Sequence, residues 1–396
     1  MRSRGCSRFR DASNVRKPWL VTYQEQCFEP GSRRRARCRV RLVSTDANGA
    51  QPRRTRPGTR ERSGIADVAA LAGVSQGTVS NVLNHPERVT QSTRDKVERA
   101  IEMLQYTPHG PARSLAVGST RALGLVLTDL GNSLFVDIAR GVEQRAAEAG
   151  AVVLLANTDA DLEREQRALR MLAETRVMGT LLTLNDTRHY RRVVAADRGE
   201  APLVLLNYAA EDDAHCSVHV DNVRGGAIAA EHLWDIGRRR IAVIDVPATL
   251  QPIIERRRGF DAVLASHQAS AAAVHAVEGL TRAHGFAAGL ALVPRIEAGE
   301  IDSVFAMADL VAAGIAQAVR SRTSLRIPED FAIVGYDDNQ ASWDSPTPLT
   351  TVAQPGEAMG YAGAGLVLDE LANDDHDHSA IDLEPSLVVR NSTVRP

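Results

Sequence analysis

Cysteine is scarce in this 396-residue chain: there are four, of which Cys6, Cys27 and Cys38 lie near the start and only Cys216 lies in the remainder. No CxxC pair and no Cys/His ligand spacing occurs, so neither a disulfide framework nor a zinc site is expected. Apolar runs long enough to span a membrane are missing, as is the apolar core of a secretory signal, and the expected location is the cytoplasm, with reduced thiols and no membrane partner. The patterns G-x-x-x-x-G-K-[ST], G-x-G-x-x-G after a strand, H-E-x-x-H and G-x-S-x-G are all absent. Their absence removes the common phosphate-cradling, dinucleotide-binding, zinc-protease and hydrolase signatures, so neither an enzyme nor a cofactor is expected. The stretch DDHDH at residues 374–378 has metal-like composition but reads as a polar surface loop.

Charge is unevenly spread. Residues 1–62 hold 17 Lys+Arg against 5 Asp+Glu, whereas the rest of the chain holds 30 against 44. The Arg-rich runs at residues 32–41 and 53–62 lack periodicity, and residues 1–62 read as a disordered extension or as an upstream start translated into protein. A diffuse DNA-binding arm is the other reading of the same arginines. Between residues 63 and 120 basic and acidic residues balance at five each, which is little positive charge for a segment that would neutralise phosphates.

Within that neutral segment, residues 65–84 read IADVAALAGVSQGTVSNVLN. Ile65, Val68, Ala69 and Ala72 recur at i, i+3, i+4, i+7 and give one apolar helical face. Gly73 supplies a left-handed residue for a sharp turn, and Val74 plugs the corner. Ser75 is a good N-cap for a second helix whose Val79, Val82 and Leu83 turn inward, leaving Gln76, Gly77, Ser80 and Asn81 on the other side. Thr90 is placed to cap a third helix with Val97, Ile101 and Leu104 at i, i+4, i+7. The pattern is a helix-turn-helix, with small Ala69, Ala70 and Ala72 permitting a close crossing.

From residue 121 onward, short β-branched runs alternate with amphipathic stretches. Strands are expected at residues 123–129, 151–159, 179–184 and 201–207, then again at 240–246, 273–277, 303–307 and 330–338, with helices between them. The fold class expected is α/β: a three-helix headpiece and hinge, then two doubly wound parallel sheets laid end to end. Residues 217–222 are expected to carry the chain into the second half and residues 349–355 to carry it back. In such sheets ligands sit beyond the carboxyl ends of strands, so the polar residues Asp129, Asn157, Asn207, Asp309 and Asp337, with Arg256 on a helix, are candidates for a cleft between the halves. A carboxylate facing a guanidinium suits vicinal hydroxyls, although Asp129 and Asp337 could instead cap helices.

Residues 67–84 and the run Tyr106, Pro108 and Ala112 to Leu115 resemble the lactose-repressor/galactose-repressor (LacI/GalR) family of transcription regulators. That family's headpiece reads D-V-A-x-x-A-G-V-S-x-x-T-V-S-x-V-L-N and its linker Y-x-P-(x)3-A-R-S-L. Further matches are VDN at Val220, GYDD at Gly335, PLTTVAQP at Pro348 and VVRNST at Val388. The resemblance spans residues 65–393. It implies a headpiece at 63–107, a hinge at 108–120 and a periplasmic-binding-protein-like body at 121–396. One lobe would be about 121–220 with 349–380, the other about 221–348 with the C-terminal strand.

By the same resemblance, DNA contacts fall to Ser75, Gln76, Gly77, Thr78, Ser80, Asn81 and Asn84, and to Ala112, Arg113 and Leu115 of the hinge, where Leu115 would wedge into the minor groove. Gln76 and Asn81 suit adenine, while Gly77 only opens space. Effector contacts fall to Asp129, Phe135, Asn207, Arg256, Asp309 and Asp337. Two departures leave the effector open: Ala306, Met307, Ala308, Asp309 where the family carries an amide before the Asp, and Asn132, Ser133, Leu134, Phe135 with one aromatic fewer. The expected partners are a pseudo-palindromic DNA operator, a carbohydrate-like effector and a second copy of the chain. No leucine heptads follow the last strand, so a dimer is expected rather than a tetramer. The function implied is an effector-controlled repressor; the alternative is a small-molecule-binding module whose headpiece no longer binds DNA.

Overall fold

The computed structural model describes residues 64–106 and 120–394, apart from 185, 197–198, 200, 212–213, 247–249 and 374, and leaves aside the side chains of Asn84 and Ala196. The arginine-rich segment and the hinge, with Ala112, Arg113 and Leu115, therefore lie outside the described residues. The chain divides after Tyr106 into two compact units.

The first unit holds helices α1 (Ile65–Ala72), α2 (Gln76–Asn84) and α3 (Gln91–Leu104). Val68, Val79 and Val97, one from each helix, have no exposed surface and meet in a core completed by Ala69, Val82, Ala100 and Tyr106. Gly73 ends α1 at φ +67°, with no atom within 4 Å of where a Cβ would stand, so the backbone conformation and not crowding demands glycine there. Val74 N–H reaches back to the Ala69 carbonyl at 3.0 Å and closes the turn. Ser75 caps α2 as expected, its Oγ accepting from Thr78 N–H at 3.1 Å. Thr90 precedes α3 but caps nothing: its hydroxyl lies 3.0 Å from that of Thr93, leaving no side-chain bond to the helix N–H groups.

The second unit contains two six-stranded sheets of the same order. The first is β11-β5-β4-β3-β1-β2, built from β1 (Ala122–Leu127), β2 (Val152–Asn157), β3 (Gly179–Thr183), β4 (Leu203–Leu206), β5 (Ser217–Val220) and β11 (Ala380–Leu383), all parallel. The second is β12-β10-β9-β8-β6-β7, from β6 (Ile241–Asp245), β7 (Ala273–Ala276), β8 (Ser303–Ala306), β9 (Ala332–Asp337), β10 (Thr350–Ala353) and β12 (Ser386–Val388), parallel except for antiparallel β12. Connecting helices cover both faces, and the central strands β1, β4, β8 and β9 are buried end to end. Buried strands explain why their sequences run apolar without alternation.

The helices that matter below are α4 (Ser133–Glu148), α5 (Leu162–Thr175), α6 (Thr187–Ala196), α7 (Asn222–Asp235), α8 (Gln251–Ser266), α9 (Arg282–Glu297), α10 (Asp309–Arg322), α11 (Gln340–Trp343) and α12 (Gly356–Ala372). One boundary differs from expectation. Residues 349–355 do not themselves return to the first lobe: β10 pairs with β9, and the chain crosses after it to enter α12, which packs on β3, β4 and β5. The cause is the register of Thr350 to Ala353 opposite Val334 to Asp337, which makes this run a buried strand of the second sheet.

Candidate functional site

In the first unit, α2 presents Gln76, Gly77 and Asn81 exposed, while Ser80 and Thr78 are half-buried against the core. Ser75 and Thr78 hydroxyls lie 2.9 Å apart at the start of the helix, so this pair organises the N-terminus, with Ser75 exposed. Unpaired N–H groups and the positive end of the dipole gather there, a favourable place for a phosphate. The side chain of Asn84 lies outside the described residues.

In the second unit, the carboxyl ends of both sheets face one cavity of about 380 Å³, lined from one lobe by Asp129, Asn132, Phe135 and Asn207 and from the other by Arg256 and Asp337. Arg256 on α8 is buried. Its Nε donates to Asn222 Oδ1 at 2.9 Å, its Nη1 to the Met307 carbonyl at 2.7 Å, and its guanidinium lies 3.7 Å from the Tyr336 ring centroid. Asp337 Oδ1 is 3.8 Å from the same Nη1. The helix can come this close because Gly226 of α7 abuts α8: a Cβ there would stand 1.9 Å from the Arg256 carbonyl oxygen.

Asp337 ends β9 at φ +112° and Asn207 follows β4 at φ +59°, the same position in the two equivalent sheets. Left-handed backbone at non-glycine residues costs energy, and Asn and Asp tolerate it best. Burial pushes the Asp337 carboxyl above the usual carboxylate range, opposed by Arg256 and by bonds from Asn132 Nδ2 at 3.0 Å and Gln354 Nε2 at 2.7 Å. Helix α11 is capped by Asn339, so Asp337 is no helix cap. Burial likewise holds the Tyr336 hydroxyl at about 12, which keeps it a neutral donor, here to Asn222 Oδ1.

The lobes are clasped on both sides of the cavity. Asn132 spans the gap to Asp337 and accepts from Asn339 Nδ2 at 2.9 Å, and Gln340 N–H donates to Ser133 Oγ at 2.8 Å. On the other side Gln251 pairs with the backbone of Ala209, accepting at 2.9 Å and donating at 3.2 Å. Two buried acceptors in the cavity wall, Asn207 Oδ1 and Gln354 Oε1, have no hydrogen-bond partner among the described residues.

Of the expected contacts, Asp129, Phe135, Asn207, Arg256 and Asp337 line the cavity, and Asp309 does not. Asp309 has no exposed surface; it accepts from Thr351 Oγ1 at 2.7 Å and from Asn339 N–H at 2.9 Å, tying α10 to β10 and α11. Its carboxyl is raised well above the usual range, by burial first and by Asp337 second. Asp129 turns its Oδ1 to Gly131 N–H at 2.7 Å, and Asn157 accepts from Leu130 N–H at 3.1 Å, outside the cavity. Asn132, Asp186 and Gln354 were not anticipated as lining residues; each lies just beyond a strand end, which is the signal that could have found them.

Ahead of β11, His376 and His378 approach Cys216, and ligating atoms of Cys216, Glu370, His376 and His378 lie within 4.8 Å of one another.

Residues 64–109 match the family of bacterial regulatory proteins of the lacI type, and residues 230–393 match the periplasmic binding protein-like domain. The chain is 31% identical over 336 residues to the HTH-type transcriptional repressor PurR of Vibrio atlanticus (strain LGP32), covering 84% of this chain and 98% of the relative. It is 31% identical over 332 residues to the ribose operon repressor of Escherichia coli (strain K12), covering 83% and 99%. Among solved structures, the transcriptional regulator CelR–cellobiose complex superposes with a TM-score of 0.62 at 31% identity, covering 84% of this chain and 100% of that one. The lac repressor dimer bound to operator and the anti-inducer ONPF gives 0.74 at 26%, with the same coverage.

Proposed function

The chain belongs to the lacI family of bacterial regulatory proteins, and from that membership we propose that it is a transcriptional repressor whose hold on operator DNA is set by a small hydroxylated effector bound between the lobes. Exposed Gln76 and Asn81 read base edges, with Ser75, Gly77, Thr78, Ser80 and Asn84 around them and Ala112, Arg113 and Leu115 contributing from the hinge. The observation that carries the effector reading is the pair of unpartnered acceptors, Asn207 Oδ1 and Gln354 Oε1, in the same cavity as Arg256 and Asp337. Buried acceptors without donors are rare, and hydroxyl groups of a sugar supply what they lack.

Phe135, buried in the same wall, offers an apolar face to a ring. Two copies bind a pseudo-palindrome, meeting through the edges where β2 exposes Val152, Leu154 and Leu155 and β7 exposes Val274. The proposal places the chain in the cytoplasm, where operators are; among the described residues no helix is long and apolar enough to cross a membrane.

Genome-wide mapping of the DNA the protein occupies tests this. The expected result is a small set of palindromic sites whose affinity falls steeply with salt, next to genes that name the effector's pathway. Occupancy no higher than background would overturn the repressor reading and leave a binding module with a silent headpiece.

A further inference from the structure

We infer that the body carries a binding site for a thiophilic divalent cation, zinc foremost, formed by Cys216, Glu370, His376 and His378. It lies at the start of β5, the opposite end of the strands from the cavity, where the last turn of α12 and the loop into β11 close over the sheet edge. Cys216 Sγ lies 3.1 Å from His376 Nε2 and 3.7 Å from His378 Nδ1. A tetrahedral zinc ion with ordinary Zn–S and Zn–N bonds spaces its sulfur and nitrogen ligands about 3.6 Å apart. The observed distances bracket that value.

Cys216 Sγ thus stands within reach of two imidazole nitrogens at once. Glu370 Oε2 is buried with no hydrogen-bond partner among the described residues, an oxygen that a cation would satisfy. Around the cluster, the groups are arranged as metal sites arrange them. His376, whose side chain is 7% exposed, bonds through Nδ1 to Asp369 Oδ2 at 2.9 Å, which fixes the ring and leaves Nε2 facing the sulfur. Ser379 N–H points at Sγ from 3.4 Å, a donor suited to a thiolate.

Cys216, His376 and Asp369 also form a Cys–His–Asp line, but Cys216 has no exposed surface for a substrate to reach. His378 is exposed and gives an ion its way in. One soft sulfur, two imidazoles and a carboxylate in tetrahedral reach select zinc over magnesium or calcium.

The test uses the full chain with C6S, C27S and C38S, so that Cys216 is its one thiol, stripped with a chelator and titrated with Co²⁺ and then Zn²⁺. Expected are one Co²⁺ per chain with a thiolate-to-cobalt charge-transfer band, displacement by Zn²⁺, and a higher unfolding temperature with Zn²⁺ bound. C216S should abolish the band, and H378A, at an exposed residue the fold does not need, should weaken binding at least tenfold while its metal-free circular dichroism is unchanged. D369N, altering only the outer carboxylate, should weaken binding about tenfold. Absence of stoichiometric Co²⁺ binding, or a band and affinity unaltered in both C216S and H378A, would overturn the inference.

Discussion

Replacing Asp337 by Asn removes one buried charge and leaves another, which makes it the sharpest probe of the cavity's electrostatics. The Arg256 guanidinium would remain, and its side chain and that of Asp337 are each 4% exposed. At their separation of 3.8 Å, an effective dielectric constant near 20 gives an attraction of about 4 kcal/mol, in line with the roughly 3–5 kcal/mol lost when one partner of a buried pair is deleted. The amide also cannot accept from both Asn132 and Gln354, which adds about 1 kcal/mol, while release from burying a carboxylate offsets part of the loss.

The adjacent residue is the control. Asp338 pairs with Arg390 at 2.7 Å, but the two side chains are 26% and 19% exposed, and D338N should cost about 1 kcal/mol or less. Asn tolerates the positive φ at both positions, so the comparison isolates charge and burial. Urea unfolding of the two variants and the parent at neutral pH reads the difference, with D337N lower than D338N by about 3 kcal/mol. If D337N unfolds no earlier than D338N, the Met307 carbonyl and the Tyr336 ring suffice to hold Arg256, and the argument from a buried pair is wrong.

Three further outcomes follow from the same geometry. G226A places a Cβ 1.9 Å from the Arg256 carbonyl; since backbone cannot yield as a side chain does, the urea midpoint should fall by the equivalent of about 3 kcal/mol or more, and a normal midpoint would disprove the close crossing. Asp309, whose carboxyl is raised by burial, contributes stability that is full below its unfolded value of about 4 and is lost as pH rises through its raised native value. Unfolding followed from pH 4 upward should therefore show a decline that D309N flattens, and equal slopes in both proteins would exclude Asp309 as its source. N81A should cut discrimination between the operator and a base-substituted copy by about 1–3 kcal/mol while leaving binding to random DNA unchanged; equal losses on both DNAs would show that Asn81 touches only the backbone.

Legibility tracked sequence distance. Strands whose apolar runs end in polar residues were readable, and so were Asn207, Asp337 and Arg256, because the carboxyl ends of parallel strands carry ligand chemistry wherever they occur. Asp309 looks the same in sequence as Asp337: an acidic residue after a buried run. What separates them is Thr351 and Asn339, brought in by β10 and α11, which consume both oxygens of Asp309 and bury it. Thr90 shows the limit at short range, since its hydroxyl finds that of Thr93 where a backbone N–H was expected. The cluster at Cys216 was illegible for a different reason. Its histidines lie 160 and 162 residues away, and only the second crossing of the chain, which sets β11 beside β5, makes them neighbours.

The duplicated lobes carry unlike chemistry at like positions, and this decides where binding energy can come from. At the equivalent strand ends the second lobe supplies Asp337, paired with Arg256, and the first supplies an amide at Asn207, with the charged groups of Asp129, Asp186 and Arg188 and an aromatic face at Phe135 also in the lining. A ligand hydroxyl that docks on Asp337 meets a carboxylate that already accepts from Asn132 at 3.0 Å and from Gln354 at 2.7 Å. The gain there is small. Asn207 Oδ1 and Gln354 Oε1 have no present partner, and a donor arriving at either relieves a buried unsatisfied group, a gain of about 1–3 kcal/mol each. One of these acceptors follows β4 of the first lobe and the other follows β10 of the second. A ligand that satisfies both must bridge the lobes, and its affinity is then tied to their separation. That tie, and not the tightness of any single contact, is what allows occupancy of the cavity to be felt elsewhere in the chain.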